Sequence, residues 1–184
     1  MTFENYLQQF EDILNHPENY PAYQDEEYYQ YTKMNWARMG RWLKRFMPNS
    51  DFDHFVKSIA EKQQWIIITE PWCGDAAHSV PMLAKMASQN SNITLDIQLR
   101  DSAPFLIDSY LTNGGKSIPI LVIRDENGRD LAVWGPRPTA CQDLFLKLKE
   151  QGVDFSEIKE EIQKWYNADK GVAIQKEIQS LLEK

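Results

Sequence analysis

Cys73 stands in the segment Thr69-Glu70-Pro71-Trp72-Cys73-Gly74-Asp75-Ala76, between a run of β-formers and a stretch of helical periodicity. A cysteine at a strand–loop–helix junction sits among unpaired backbone N–H groups and the positive end of the helix dipole. Both stabilise a thiolate. Thiolate is the nucleophile of disulfide exchange, so the junction can present a reactive thiol. The same position also suits an inert cysteine, and residue types alone leave both readings open. Asp75 complicates the balance. Its carboxylate raises the pKa of a nearby thiol, yet it also reads simply as an acid placed well against the helix dipole.

The other candidate groups are sparse. Cys141 is the second of two cysteines, and the histidines are His16, His54 and His78. No Cys/His cluster has zinc-ligand spacing, so no metal or other cofactor is expected. His78 follows Cys73 by five residues, and a helical turn takes 3.6, so it rotates away from the helix start. The expectation is a solvent-facing histidine rather than a Cys–His dyad. Cys141 reads as a small helix residue; a role as distant resolving thiol needs Cα atoms within about 7 Å of those of Cys73.

The elements that must position Cys73 follow from periodicity. WIIIT (65–69) is a short apolar run suited to a strand buried on both faces. A helix is expected from about Asp75 to Gln89, and NITLDIQL (92–99) alternates as a strand. Residues 103–112 are expected to be helical, and PILVI (119–123) is another apolar strand. Glu126-Asn127-Gly128 gives the turn chemistry of a hairpin into DLAVW (130–134). Trp134-Gly135-Pro136-Arg137-Pro138 is a stiff connection into a helix over 138–150. Arg137 there is a candidate for meeting an anionic group at the site's rim. Upstream, residues 2–14 carry one apolar stripe, and a second helix is expected over 25–47, acidic at its start and basic at its end. Ser50 and Asp53 resemble a capping pair for a further helix. Downstream, Asp154 caps a helix that Gly171 is expected to interrupt.

Composition sets outer bounds. The chain has 184 residues and a formal net charge of −7, with 42% hydrophobic and 26% charged residues. That suits one compact domain with appendages and argues against global disorder. No apolar run reaches the ~20 residues of a membrane span, and MTFENYLQQFEDILN does not read as a secretory signal. A cytoplasmic protein with no membrane or nucleic-acid partner is therefore expected. The cations Lys33, Arg38, Arg41, Lys44 and Arg45 are read as the solvated face of a helix whose tryptophans, Trp36 and Trp42, point inward.

Several features together resemble the thioredoxin superfamily. Trp72-Cys73-Gly74 before a helix is similar to its active-site turn. Pro81 falls where the family's active-site helix has its kinking proline, and Ser117-Ile118-Pro119 before ILVI resembles its cis-proline loop. With YLTNGGKSIP (110–119) and WGPRP (134–138), the WCGDA turn resembles a bacterial thioredoxin-like group with an extra N-terminal helical region. The resemblance implies an α/β thioredoxin-like fold, a mixed central sheet flanked by helices, with helical extensions at both ends. It divides the chain into 1–48, 49–150 and 151–184.

The resemblance also implies a site: Cys73 as nucleophile, with Trp72, Ile118 and Pro119 contacting a substrate whose extended chain pairs beside the cis-proline. Two departures matter. The family's second motif cysteine is Ala76 here, and the buried acid six residues before the nucleophile is Ile67. The leading expectation is single-thiol disulfide exchange on a protein or small-molecule disulfide, with a low-molecular-weight thiol as co-substrate. The alternative is a redox-inactive, peptide-binding module. Oligomeric state is not legible.

Overall fold

A computed structural model describes residues 1–183. Two helices open the chain, α1 (Phe3–Asn15) and α2 (Glu26–Arg45), each started by a side-chain cap. Asp25 accepts the Tyr28 N–H at 2.9 Å, and acids at the start of α2 with Lys44 and Arg45 at its end suit the helix dipole. The third helix, α3 (Ser50–Ser58), is capped by Asn49 rather than Ser50. The Asn49 side chain accepts the Phe52 N–H at 2.9 Å, which makes Ser50 the first helical residue.

The strands β1 (Gln63–Thr69), β2 (Ile93–Leu99), β3 (Ile120–Asp125) and β4 (Asp130–Trp134) form one sheet in the order β2-β1-β3-β4. β1 runs parallel to β2 and antiparallel to β3, which pairs antiparallel with β4 across the expected hairpin. Gly128 supplies the positive φ of that turn. The helix α4 (Gly74–Ala87) follows β1, and α5 (Thr139–Glu150), α6 (Phe155–Asp169) and α7 (Val172–Leu182) close the chain. The result is a mixed sheet flanked by helices, a thioredoxin-like fold with helical additions.

The segment 103–112 departs from expectation. Only a 3₁₀ turn, Leu106–Ser109, forms there, and Ile107 is its one buried residue. Phe105 just before it has φ 56, outside helical space, and a single buried side chain leaves no apolar stripe to dock a longer helix.

One core unites the terminal helices with the sheet. Tyr6 and Phe10 of α1, and Met39 and Trp42 of α2, are buried with Trp65 and Ile67 of β1. Ile174 and Ile178 bring α7 into the same cluster. Each such side chain is worth about 1.5–3 kcal/mol of burial, so the terminal helices are held firmly rather than loosely appended. Gly171 takes φ 80 between α6 and α7, and a Cβ there would come within 2.6 Å of the Phe46 ring. A smaller cluster of Cys141, Ile158, Ile162 and Tyr166 joins α5 to α6. No helix among the described residues is long and apolar enough to cross a membrane.

Candidate functional site around Cys73

β1 ends at Thr69, and a turn closed by the Cys73 N–H to the Glu70 carbonyl, 3.1 Å, delivers Cys73 to the start of α4. Asn35, fully buried on α2, donates to the Pro71 carbonyl at 3.1 Å and pins this turn to the N-terminal helices. Cys73 is the N-cap of α4, and its Sγ lies 3.5 Å from the Ala76 N–H. On its other side the thiol donates to the Ile118 carbonyl at 3.3 Å. The Ile118–Pro119 peptide is cis. The strand–turn–helix junction and the loop before β3 therefore converge on one sulfur.

Burial decides the state of that sulfur. Cys73 is 7% exposed, and burial pushes its thiol up to about 12. The Asp75 carboxylate pushes in the same direction, against backbone N–H donors of Ala76 and Asp75 and the more distant Arg137. The helix terminus is present and it loses. Asp75 is itself held by Arg137, Nε to Oδ1 at 2.9 Å and Nη2 to Oδ2 at 2.7 Å, and the Tyr166 hydroxyl donates to Oδ1 at 3.1 Å. Arg137 thus meets an anion of its own chain rather than a ligand's.

A groove of about 930 Å³ opens beside the thiol. Its walls are α2, the turn at Trp72–Asp75, the strand approach at Ser117–Ile118, and side chains of α5 and α6. Trp72 is half-buried between the Tyr28 ring, 5.9 Å away, and the Arg100 guanidinium, 4.4 Å away. Tyr31 closes over Gly74 so tightly that a Cβ at that position would run into its hydroxyl. Of the residues singled out from the sequence, Cys73, Trp72 and Ile118 line the groove together. Pro119 is buried behind it. Cys141 is fully buried in the α5–α6 cluster, and both cysteines are free.

His78 is the clear correction. It is 2% exposed, not solvent-facing. Its Nδ1 accepts the Trp42 Nε1–H at 2.9 Å and its ring stacks on Tyr166 at 4.4 Å. Burial first, then Arg38 and Arg41, push its pKa down to about 3, so it is a neutral acceptor. No hydrogen bond joins it to Cys73, but α4 has α2 packed along it and buries all sides of its middle turns. The basic face of α2 is also not wholly solvated: Arg38 donates to Gln163 and Arg41 to Asn167, both on α6.

Four residues of the site gave weaker signals. Asn35 interrupts the apolar stripe of α2, and a polar residue at a core position is the mark of a buried hydrogen bond. Tyr28 and Tyr31 were legible only as part of an aromatic-rich helix. Glu70 follows a buried strand directly; it is 7% exposed, accepts the Asp101 N–H at 2.9 Å, and burial raises its carboxyl to about 7. No group of three or more His, Cys, Asp or Glu side chains among the described residues is placed to hold a metal ion.

The family model described as thioredoxin matches residues 22–151. The chain belongs to the thioredoxin family. The match takes in the whole of α2, so the helix that walls the groove lies within the family's own unit. Among solved structures, an HIV epitope scaffold is similar with 15% identity and a TM-score of 0.58, covering 100% of this chain and 98% of that one. A protein of unknown function from Pseudomonas aeruginosa is similar with 15% identity and a TM-score of 0.50, covering 94% and 99%. At that identity they speak to the fold alone. No curated protein matches this thioredoxin-family chain.

Proposed function

We propose that this thioredoxin-family protein is a groove-binding module for extended peptides in which Cys73 is kept as a protonated thiol. The observation that carries the reading is the sulfur's confinement: 7% exposed, hydrogen-bonded to the Ile118 carbonyl, and pushed up to about 12. At pH 7 such a group is protonated, whereas a free thiol near 8.5 is thiolate at the level of about a few per cent. No second cysteine replaces Ala76, and Ile67 offers no proton relay. What the site retains is a walled groove with Trp72 as an apolar lip. At Ile118 the backbone N–H makes no hydrogen bond among the described residues. That is the equipment of strand-addition recognition. The reading includes a cytosolic setting, which keeps both cysteines as thiols, and a place in the bacterial group whose turn is Trp-Cys-Gly-Asp-Ala.

Single-thiol exchange is the second reading, favoured by the Ala76 N–H directed at Sγ from the start of α4. In it, the Cys73 thiolate attacks one sulfur of a substrate disulfide. A mixed disulfide forms and the other sulfur leaves as thiolate. A low-molecular-weight thiol then attacks the substrate sulfur of the mixed disulfide, and Cys73 is released. Incubating the Cys141→Ser protein with a small mixed disulfide and following Cys73 by mass separates the two. Negligible adduct over hours at pH 7 supports the binding module; stoichiometric adduct within minutes supports exchange.

A further inference from the structure

Two cations meet on one aromatic ring at the groove. The Arg38 guanidinium carbon lies 5.2 Å from the centre of the Tyr31 ring, and the Lys159 Nζ lies 5.0 Å from it. Arg38 comes from α2 and Lys159 from α6, so two elements bring like charges to one place. The other cations of the groove are matched: Arg137 with Asp75, Arg100 with Asp101, Lys116 with Asp108. Neither Arg38 nor Lys159 has a carboxylate within 4.0 Å among the described residues. Arg38 instead donates to the neutral amide oxygens of Asn35 and Gln163.

The pairing runs against the composition. Acids outnumber bases by 27 to 20, so a basic side chain facing this groove has acidic partners to spare elsewhere. Cation–π contact with Tyr31 offsets some of the repulsion, but it neutralises no charge. Asp75 is already engaged by both Arg137 nitrogens. Asp25 and Glu27 also line the groove but pair with neither cation, so an anion entering it would meet two charges without a carboxylate partner, each over the Tyr31 ring.

We propose that Arg38 and Lys159 receive an acidic side chain of an extended peptide lying in the groove against Ile118. This rests on the peptide-groove reading above and adds to it a charge preference. Main-chain pairing at Ile118 is indifferent to side chains, whereas the Arg38–Lys159 pair selects for Glu or Asp at the position that reaches Tyr31.

The test is calorimetric titration of the full-length chain with two blocked, cysteine-free hexapeptides, identical except that one carries two Glu and the other two Gln. The Glu peptide is expected to bind about tenfold more tightly, a gap that shrinks between ~50 mM and ~500 mM salt. Lys159→Gln, which breaks no hydrogen bond or ion pair of the groove among the described residues, is expected to shrink the gap by about threefold or more, and replacing both cations, Arg38→Gln with Lys159→Gln, to abolish it. Circular dichroism and thermal unfolding show whether each variant is folded; a gap unchanged in folded Lys159→Gln overturns the charge preference. Equal affinities in the wild type overturn the charge preference and leave the groove reading standing. Binding of neither peptide overturns both. Succinate binding as tightly as the Glu peptide overturns the peptide as occupant.

Discussion

Asp75 and Arg137 form a two-oxygen ion pair, 2.9 and 2.7 Å, beside the thiol that the start of α4 would otherwise activate. The carboxylate raises the thiol; at a site where the Asp75 side chain is only 12% exposed, burial pushes its own carboxyl up, and the Arg137 guanidinium pulls it back down. Asp75→Asn is expected to move the Cys73 titration down, by one pKa unit or more. It also leaves Arg137 without its partner in a poorly hydrated site, so stability should fall by about 3–5 kcal/mol. Alkylation kinetics against pH and denaturant unfolding read the two effects separately.

Tyr31 covers the turn from the N-terminal side, with its hydroxyl against Gly74. Tyr31→Ala is expected to speed alkylation of Cys73 at pH 8 by about tenfold or more, by exposing the sulfur and hydrating it. Tyr31→Phe keeps the ring and should stay within about twofold of wild type. A rate in Tyr31→Ala equal to wild type would show that α2 does not limit access.

Glu70 gives the protein a pH dependence of defined sign. Its folded pKa, about 7, lies above the ordinary carboxylate value of 4.5. The folded state therefore holds the proton longer than the unfolded state does. The contribution of Glu70 to stability is therefore most favourable below about 4.5, falls as pH rises, and carries its full penalty above about 7. Glu70→Gln keeps an acceptor for the Asp101 N–H and should stabilise the protein by roughly 1–3 kcal/mol at pH 8, with no gain at pH 4.5. Thermal unfolding at the two pH values checks this.

Gly135 fixes the loop that carries Ile118. It takes φ 125, and a Cβ there would run into the Pro119 carbonyl oxygen. Gly135→Ala is expected to cost about 2–4 kcal/mol and to disturb the groove wall, since backbone strain and overpacking act together. Chemical denaturation gives the loss, and the Gln hexapeptide titration reports the groove.

How far the sequence spoke depends on whether the signal was local. β1, β3 and the hairpin were legible because WIIIT and PILVI are continuous apolar runs with turn residues at fixed offsets. Cys73, Trp72 and Ile118 were legible by resemblance, and the structure brings all three to one groove. His78 was misread because its burial comes from α2 and α6 closing on α4, a contact between distant segments that helical phase does not contain. The state of the thiol was illegible for the same reason. The helix terminus is written in local order, whereas the covering by Tyr31 and the Arg137–Asp75 pair spans residues 31 to 137.

The most direct measurement is the alkylation rate of Cys73 from pH 6 to 11 in the Cys141→Ser protein. A thiol confined as described should react far more slowly at pH 7 than a free thiol, with the rate still rising at pH 10 and no inflection at or below ~8.5. An inflection well below that value would show a thiolate activated by the start of α4 and would contradict the account of Cys73 as a protonated, non-nucleophilic group.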